Sequence, residues 1–198
     1  ARRIKKYYKK DCDIIHPPVA VNNFYVSSVK ENYFLMVGRL MPNKRFDLAI
    51  KAFNQLKLPL KIIGRGPELK KLQKMAGPNI EFLGRVEDYR LAECYSKCQA
   101  FIFTHEEDFG IVAIEALASG CPVIAWRGGD IPEHVEDGKT GVFFDRQDAQ
   151  GLIESVKKFE NVNFDPEYIR STSLKFDREI FKKKIREYVE GEVEKFSH

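Results

Sequence analysis

Short apolar segments recur along the chain at intervals of about twenty residues. Six of them have the length and composition of buried strands: 33–37, 60–63, 80–83, 100–103, 122–125 and 141–144. The segments between them show helical spacing, clearest at i, i+3, i+4 and i+7 in Phe46, Ala49, Ile50, Phe53 and Leu56. Strands that alternate with helices predict an α/β fold, a doubly wound, Rossmann-like parallel sheet of about six strands.

The two ends of the chain differ from this alternating core. Residues 1–19 read as a basic helical stretch and an extended linker, stiffened by a pair of prolines. Residues 20–160 hold the alternating pattern, beginning with a polar loop over 20–32. Further helices are predicted at about 147–160, 166–172 and 177–192. Residues 161–198 are therefore expected to form C-terminal helices that end in a charged tail, Gly191 to His198.

Composition limits the function classes. The chain has 198 residues, 43% of them hydrophobic, and a net charge of +4, which fits one domain with extensions. Basic residues cluster in residues 1–10 and 182–184, where interleaved apolar residues favour solvated helix faces, although peripheral contact with an anionic membrane stays open. Zinc-finger spacing, ribonucleoprotein aromatics and a continuous basic stripe are all missing, so nucleic-acid binding is not predicted.

Cysteine spacing and hydropathy bear on metal binding and on the cellular location. The four cysteines, 12, 94, 98 and 121, lack metal-type spacing and are expected to be reduced core thiols. The sequence shows neither an apolar run of about twenty residues nor a signal-peptide core, so we expect a cytoplasmic protein. Asp11-Cys12-Asp13 matches a short metal-binding pattern, but two residues are more readily explained by chance. No metal site and no cofactor are expected.

The densest candidate chemistry lies where the fourth apolar segment turns into a helix. Glu107 falls in the turn, and Glu115 falls about one turn into the helix. Between them, the backbone amides of 110–112 open the helix with partial positive charge, which favours a phosphate. Gly110 would let a ligand approach the backbone closely. The alternative is that the acidic run 106–108 only stabilises the helix N-terminus.

Loops after other strands carry complementary chemistry. Arg39 and Lys44 follow the first strand, where they suit a diphosphate, although ordinary surface cations fit the pattern equally well. Glycine-rich turns follow the second and third strands, and they could meet a nucleobase or simply turn the chain. In such sheets ligands bind outside the carboxyl ends of the strands. His105 and His134 lie near this edge without an evident nucleophile partner and are expected to be structural.

Together these residues resemble the donor-binding domain of retaining glycosyltransferases of family 4, which have the two-domain GT-B fold. The resemblance covers most of the chain and lies in 3–8, 16–19, 37–40, 44–45, 64–68, 82–86 and the Glu107…Glu115 pair. Two blocks, 44–54 and 76–80, look most like bacterial and archaeal mannosyltransferases that use GDP-mannose. The resemblance therefore implies one half of a GT-B fold that binds GDP-mannose.

The family pattern implies a role for each matching residue. Arg39 and Lys44 would hold the donor diphosphate, together with the amides that open the helix. Glu107 would bind the donor-sugar hydroxyls, Glu115 the ribose hydroxyls, and the 85–86 backbone would lie beside the base. The donor-binding set implied by the resemblance is Gly38, Arg39, Lys44, Gly64, Arg85, Val86, Glu107, Phe109, Gly110, Ile111, Val112 and Glu115.

The resemblance also implies a mechanism. Arg39, Lys44 and Glu107 would form the catalytic group, in which the two cations stabilise the leaving diphosphate without a divalent metal. Glu107 would position the sugar, whether retention proceeds by front-face attack or through a covalent intermediate. One departure lies at Gly128-Gly129, where Asp130 is inserted into the family's Gly-Gly-x-x-Glu pattern, so a role for this loop does not carry over.

A GT-B enzyme needs a second domain, which would hold the acceptor, a glycan or a lipid-linked sugar. The sequence is therefore expected to be a fragment or a donor-binding subunit that needs a partner. Two other classes stay open: a non-catalytic module that binds sugar nucleotides or other proteins, and half of a GT-B epimerase acting on a sugar nucleotide. The Arg39, Lys44, Glu107 and Glu115 set argues against the first, and the lack of an acid/base pair argues against the second.

Overall fold

All six apolar segments form strands of one parallel sheet in the computed structural model, which describes residues 2–196 and the side chains of residues 4–195. The strands are Phe34–Val37 (β1), Leu60–Ile63 (β2), Ile80–Gly84 (β3), Phe101–Phe103 (β4), Val123–Trp126 (β5) and Gly141–Phe144 (β6). Their order across the sheet is β3-β2-β1-β4-β5-β6. The doubly wound parallel sheet predicted from the sequence is confirmed.

The helices within the described residues lie before, between and after the strands. They are Arg2–Tyr8 (α1), Phe46–Leu56 (α2), Leu69–Met75 (α3), Asp88–Lys97 (α4), Ile111–Ala118 (α5), Ala149–Phe159 (α6), Pro166–Ser173 (α7) and Arg178–Phe196 (α8). The charged tail predicted from Gly191 is wrong as far as Phe196, because α8 continues through it. One helical glycine costs only about 1 kcal/mol, and a salt bridge between Glu192 and Lys195 lies in the same stretch. The last two residues of that tail lie outside the described part.

The central strands β1, β4 and β5 and the edge strand β6 bury nearly all of their residues on both faces, so their segments read as continuous apolar runs. The other edge strand, β3, exposes Glu81. Leu35 faces the cluster that contains α5, whereas its neighbours Phe34 and Met36 face the cluster that contains α2 and α6. This alternation follows from the two-residue period of a strand. The core therefore consists of two apolar layers separated by the sheet.

The segment before β1 contributes more to the core than a polar loop would. Residues 20–32 contain a short 3-10 turn, Val21–Asn23, and otherwise no helix or strand, as predicted. Val21 and Phe24 are nonetheless buried, and the Phe24 ring packs edge-on against Tyr95 with 5.8 Å between centroids. The prediction of a polar loop is therefore wrong at Val21 and Phe24, whose side chains reach the core even though Asn22 and Asn23 separate them in the sequence.

The two central strands lead to opposite faces of the sheet. The chain leaves β1 for α2, which packs on one layer, and leaves β4 for α5, which packs on the other. The loops after β1 and β4 therefore diverge at the carboxyl edge of the sheet. Such a divergence opens a crevice, and this is where ligands bind in open α/β sheets.

Candidate functional site

Two cavities lie side by side at this carboxyl edge. The first has a volume of about 500 Å³ and is lined by Pro17, Val37, Gly38, Arg39, Lys44, His105, Glu107, Asp108, Phe109, Gly110, Ile111 and Val112. The second has a volume of about 480 Å³ and is lined by Val37, Gly38, Arg39, Ile63, Gly64, Arg65, Arg85, Val86, Asp88 and Leu91. Both share Val37, Gly38 and Arg39. The structure thus brings eleven of the twelve predicted donor-site residues to one continuous pair of cavities.

A buried hydroxyl holds the loops after β1 and β4 together. The Thr104 hydroxyl, which follows β4, donates to the backbone carbonyl of Lys44 at 2.9 Å and lies 3.2 Å from that of Arg45. The carbonyl of Thr104 in turn accepts from the Gln147 side chain at 3.0 Å. Arg45 has a left-handed backbone (φ 55°), which turns the chain into α2. These contacts bring Lys44 to the loop that carries Glu107.

An ion pair forms the charged wall of the first cavity. Lys44 Nζ donates to Glu107 Oε1 at 2.7 Å, and His105 Nε2 lies 3.0 Å from Glu107 Oε2 and 3.1 Å from Lys44 Nζ. The hydrogen bond with His105, and then the hydrogen bond and charge of Lys44, outweigh partial burial and lower the pKa of Glu107 to about 2. Glu107 is therefore an ionised, acceptor-only group at neutral pH.

His105 is the residue that sequence reasoning missed. We expected a structural histidine, but the structure places its ring in the cavity wall, in contact with both members of the Lys44–Glu107 pair. Its position two residues before Glu107 in the strand-end loop was the available signal. His134 does fit the structural interpretation: it is buried, neither ring nitrogen has a partner among the described residues, and desolvation first, then the charge of His16, lowers its pKa to about 4.

The start of α5 forms the floor of the first cavity. Its first intrahelical bonds run from Ala113 and Ile114 to the Gly110 carbonyl, so the amides of Ile111 and Val112 precede the hydrogen-bonded ladder. Gly110 has φ 78°, and a Cβ there would lie 2.6 Å from Ile131 Cδ1. The predicted reason for this glycine, room for a ligand, is therefore wrong: a side chain would point into the core.

Aromatic packing holds Phe109 at the rim of the first cavity. Its ring stacks on His16 with 5.6 Å between centroids and meets the rings of His134 and Phe176 edge-on at 5.0 and 5.4 Å. His16 lies before β1 and Phe176 lies after α7, so distant parts of the chain converge here. The loop between Glu107 and α5 is consequently supported from its core side.

The loop after β5 supports Glu107 through the backbone. Asp130 N donates to the Glu107 carbonyl at 3.1 Å, and a Cβ at Gly129 would lie 2.5 Å from the same oxygen. The inserted Asp130 therefore does not abolish the contact of this loop with the site. The contact is made by main-chain atoms, which a side-chain pattern does not report.

Glu115 is half-buried on α5 and is not among the residues that line the two cavities. Its Oε2 accepts from the Tyr95 hydroxyl at 3.2 Å. Burial raises the pKa of Glu115 to about 7, the Tyr95 hydrogen bond opposes this, and the charge of Asp88, a lining residue of the second cavity, adds to it. The pKa of Glu107 is thus lowered and that of Glu115 is raised, and the two carboxylates do not form a contacting pair.

Metal-type chemistry is sparse in residues 2–196. In this part of the chain, no three His, Cys, Asp or Glu side chains are grouped so that they could hold a metal ion. Three of the expected core thiols, Cys94, Cys98 and Cys121, are buried, whereas Cys12 is only partly buried. Asp11 accepts a hydrogen bond from Lys5. None of the helices that the structure describes is long and apolar enough to cross a membrane.

Comparison with known proteins identifies the family. The family described as "Glycosyl transferases group 1" matches residues 22–175, which is most of the chain. The chain belongs to the group 1 glycosyl transferases. The matched range contains every lining residue of the two cavities except Pro17.

Curated relatives match the chain at 30–33% identity. An uncharacterized glycosyltransferase of Methanocaldococcus jannaschii is 33% identical over 135 residues, 66% of this chain and 38% of that protein. A GDP-mannose-dependent alpha-(1-6)-phosphatidylinositol monomannoside mannosyltransferase of Mycolicibacterium smegmatis is 33% identical over 138 residues, 61% of this chain and 36% of that protein. The O-antigen chain mannosyltransferase RfbU of Salmonella typhimurium is 30% identical over 171 residues, 78% of this chain and 48% of that protein. The chain thus spans between about a third and a half of these relatives.

Solved structures of glycosyltransferases share the fold. Sucrose-phosphate synthase from Thermosynechococcus elongatus superposes with a TM-score of 0.80 and 23% identity, over 96% of this chain and 55% of that chain. HepE of Anabaena, solved in complex with UDP and glucose, gives a TM-score of 0.75 and 20% identity over 90% of this chain and 56% of that chain. The sheet described above is therefore the Rossmann-like sheet seen in GT-B glycosyltransferases.

Proposed function

We propose that this chain is the donor-binding half of a retaining GT-B glycosyltransferase of family 4 that transfers mannose from GDP-mannose to a glycan or lipid-linked acceptor. The observation that carries the proposal is the wall of the first cavity. There two cations, an ionised carboxylate and the start of α5 converge at the carboxyl edge of the sheet. Mannose and GDP are favoured because two of the similar proteins are named as mannosyltransferases, one of them GDP-mannose-dependent.

The cationic wall suits a leaving diphosphate. Arg39 is exposed and lines both cavities, so its guanidinium can reach an anion that lies between them. Lys44, Ile111 and Val112 line the first cavity together with Arg39. Fixed positive groups of this kind stabilise charge as it develops in the transition state. In this proposal no divalent metal takes part.

The carboxylates suit the two sugars of the donor. Glu107 stays ionised and can accept hydrogen bonds from hydroxyls of the transferred sugar, so it positions the sugar and does not donate a proton. Glu115 lies outside both linings, but its charge interacts with that of Asp88, a lining residue of the second cavity. In this proposal Glu115 accepts from the ribose hydroxyls at the back of that cavity, and the 85–86 backbone lies beside the base. The diphosphate would then span the shared residues Gly38 and Arg39.

The acceptor side of the reaction is proposed to lie on another domain. The chain spans between about a third and a half of its curated relatives, and the GT-B cleft lies between two domains. We expect residues 1–198 alone to bind the donor but to transfer sugar poorly, because positioning of the acceptor supplies much of the rate. Turnover at the rate of a two-domain enzyme would contradict this expectation.

Calorimetric titration tests the proposed donor. GDP-mannose, UDP-glucose and UDP-N-acetylglucosamine are titrated into the wild type, Lys44→Met and the control Lys51→Met, an exposed lysine on α2. We expect GDP-mannose to bind best, Lys44→Met to weaken it by about tenfold or more, and Lys51→Met to leave it unchanged. Preference for a UDP-sugar would overturn the GDP-mannose assignment alone. Binding of none of the three would favour a non-catalytic interaction module.

A further inference from the structure

His105 lies between a core aromatic ring and the ion pair of the first cavity. Its ring packs against Phe103 with 4.2 Å between centroids and an interplanar angle of 31°, and its side chain is only 7% exposed. From this fixed position Nε2 reaches Glu107 Oε2 at 3.0 Å and Lys44 Nζ at 3.1 Å. The imidazole therefore contacts both charged groups from the core side of the cavity.

The surroundings of the two ring nitrogens indicate which one carries the proton. Nδ1 is buried and has no hydrogen-bond partner among the described residues. In a neutral imidazole one nitrogen donates and the other accepts. A proton on Nδ1 would let Nε2 accept from Lys44 Nζ at 3.1 Å, but it would leave a buried donor unsatisfied and would turn the same lone pair towards a carboxylate oxygen at 3.0 Å. A proton on Nε2 instead forms a charge-assisted hydrogen bond with Glu107.

Glu107 thus has a different donor on each oxygen. Lys44 holds Oε1 at 2.7 Å, and His105 holds Oε2 at 3.0 Å. The two donors differ in freedom: Lys44 has a flexible side chain that is 21% exposed, whereas His105 is packed and buried. A diphosphate entering the cavity competes with Glu107 for the Lys44 ammonium. His105 already has an acceptor in Glu107, so it can keep that hydrogen bond when the diphosphate binds.

We propose that His105 is a positioning residue of the donor site: its Nε2–H keeps the Glu107 carboxylate aligned on the donor sugar when Lys44 turns to the diphosphate. This inference rests on the proposed function, because it needs Lys44 to meet the diphosphate and Glu107 to meet the sugar. It gives His105 a role in recognition of the sugar. That role concerns GDP-mannose and leaves GDP, which has no sugar to be transferred, unaffected.

Two substitutions separate this role from simple packing. His105→Leu removes the donor and keeps apolar bulk against Phe103, and His105→Gln supplies an N–H donor for Glu107. Affinities for GDP-mannose and GDP are measured by calorimetry for each variant. We expect His105→Leu to lower the affinity for GDP-mannose by about tenfold and the affinity for GDP by less than about twofold. His105→Gln should restore most of the lost affinity for GDP-mannose. In a Glu107→Gln background, adding His105→Leu should change GDP-mannose affinity little.

Nitrogen NMR of the wild type gives an independent readout that does not depend on the stability of a variant. With ¹⁵N-labelled histidine, we expect a one-bond proton coupling at Nε2 of His105 and none at Nδ1, with the resonances assigned by comparison with His105→Gln. A coupling at Nδ1 alone would overturn the inference, as would equal weakening of GDP-mannose and GDP in His105→Leu. Failure of the wild type to bind any sugar nucleotide would instead contradict the proposed function.

Discussion

Replacement of Glu115 by glutamine should stabilise the folded protein while weakening its binding of the sugar-nucleotide donor. Burial raises the pKa of Glu115 from 4.5 to about 7, so its ionised form is unfavourable in the folded chain. Glutamine has the same size, carries no charge, and can still accept the hydrogen bond that the Tyr95 hydroxyl donates. A stabilising change at this position would mark a site kept for function at a cost in stability.

The magnitude follows from the pKa difference. Because the pKa of Glu115 is higher in the folded chain, the unfolded chain releases its proton first, and the free energy of unfolding falls as pH rises from about 4.5 to about 7. A shift of about 2.5 units corresponds to about 3 kcal/mol above that window. Glu115→Gln should therefore raise the free energy of unfolding by about 3 kcal/mol at pH 8 and by about 1 kcal/mol or less at pH 5.

Urea unfolding of wild type and variant at pH 5 and pH 8 measures this difference, in which the titration of all other groups cancels. Glu154→Gln serves as a control, because its pair with Arg146 is exposed and should contribute less than about 1 kcal/mol at either pH. Glu115→Gln is also titrated with GDP-mannose, and we expect it to bind GDP-mannose more weakly because the ribose loses a charged acceptor. An equal change in stability at both pH values, or destabilisation at pH 8, would refute the reasoning.

Three further substitutions test other parts of the structure. Gly129→Ala should lower the free energy of unfolding by about 1–3 kcal/mol and weaken the binding of GDP-mannose, since its Cβ would lie 2.5 Å from the Glu107 carbonyl. Gly138→Ala has the same left-handed backbone but open space around it, so it should cost about 1 kcal/mol and leave the affinity unchanged. Equal losses of affinity in the two variants would contradict this reasoning. Arg170→Ala should lower the free energy of unfolding by about 2 kcal/mol in urea, because its guanidinium donates to backbone carbonyls of two separate segments; an unchanged midpoint would contradict it. Asp148→Ala should cost about 1 kcal/mol of thermal stability by removing the N-cap of α6, and Asp148→Asn should restore it; a loss of similar size in both would argue against the cap.

The sheet could be predicted from the sequence because burial on both faces leaves a local record. Segments such as 101–103 and 141–144 hold no charged or polar side chain and are bounded by polar or glycine-rich turns, so their strands match the predictions. Helix periodicity is equally local. The last helix, predicted to end at about residue 192, continues to Phe196, because the charged residues after Gly191 lack apolar spacing but still favour a helix.

The candidate site was predicted only in part, because its geometry depends on contacts between distant residues. Lys44 lies 61 and 63 residues from its partners His105 and Glu107. Sequence motifs could place these three residues at one edge of the sheet, but they could not show that one imidazole bridges the other two. The role of Gly110 was misjudged for a related reason, since the atoms that a side chain would strike belong to Ile131 and Phe103.

The pairing at the centre of the sheet has a mechanical consequence. All of β1 pairs with β2, whereas β1 meets β4 in register only at Leu35 and Phe101. Strands β1–β3 and β4–β6 are therefore two half-sheets joined along a short seam, directly below the first cavity. A ligand bound by both Arg39 on one half and Glu107 on the other would link the two half-sheets across that seam. Its binding would slow amide hydrogen exchange in both half-sheets, well beyond the loops that touch it.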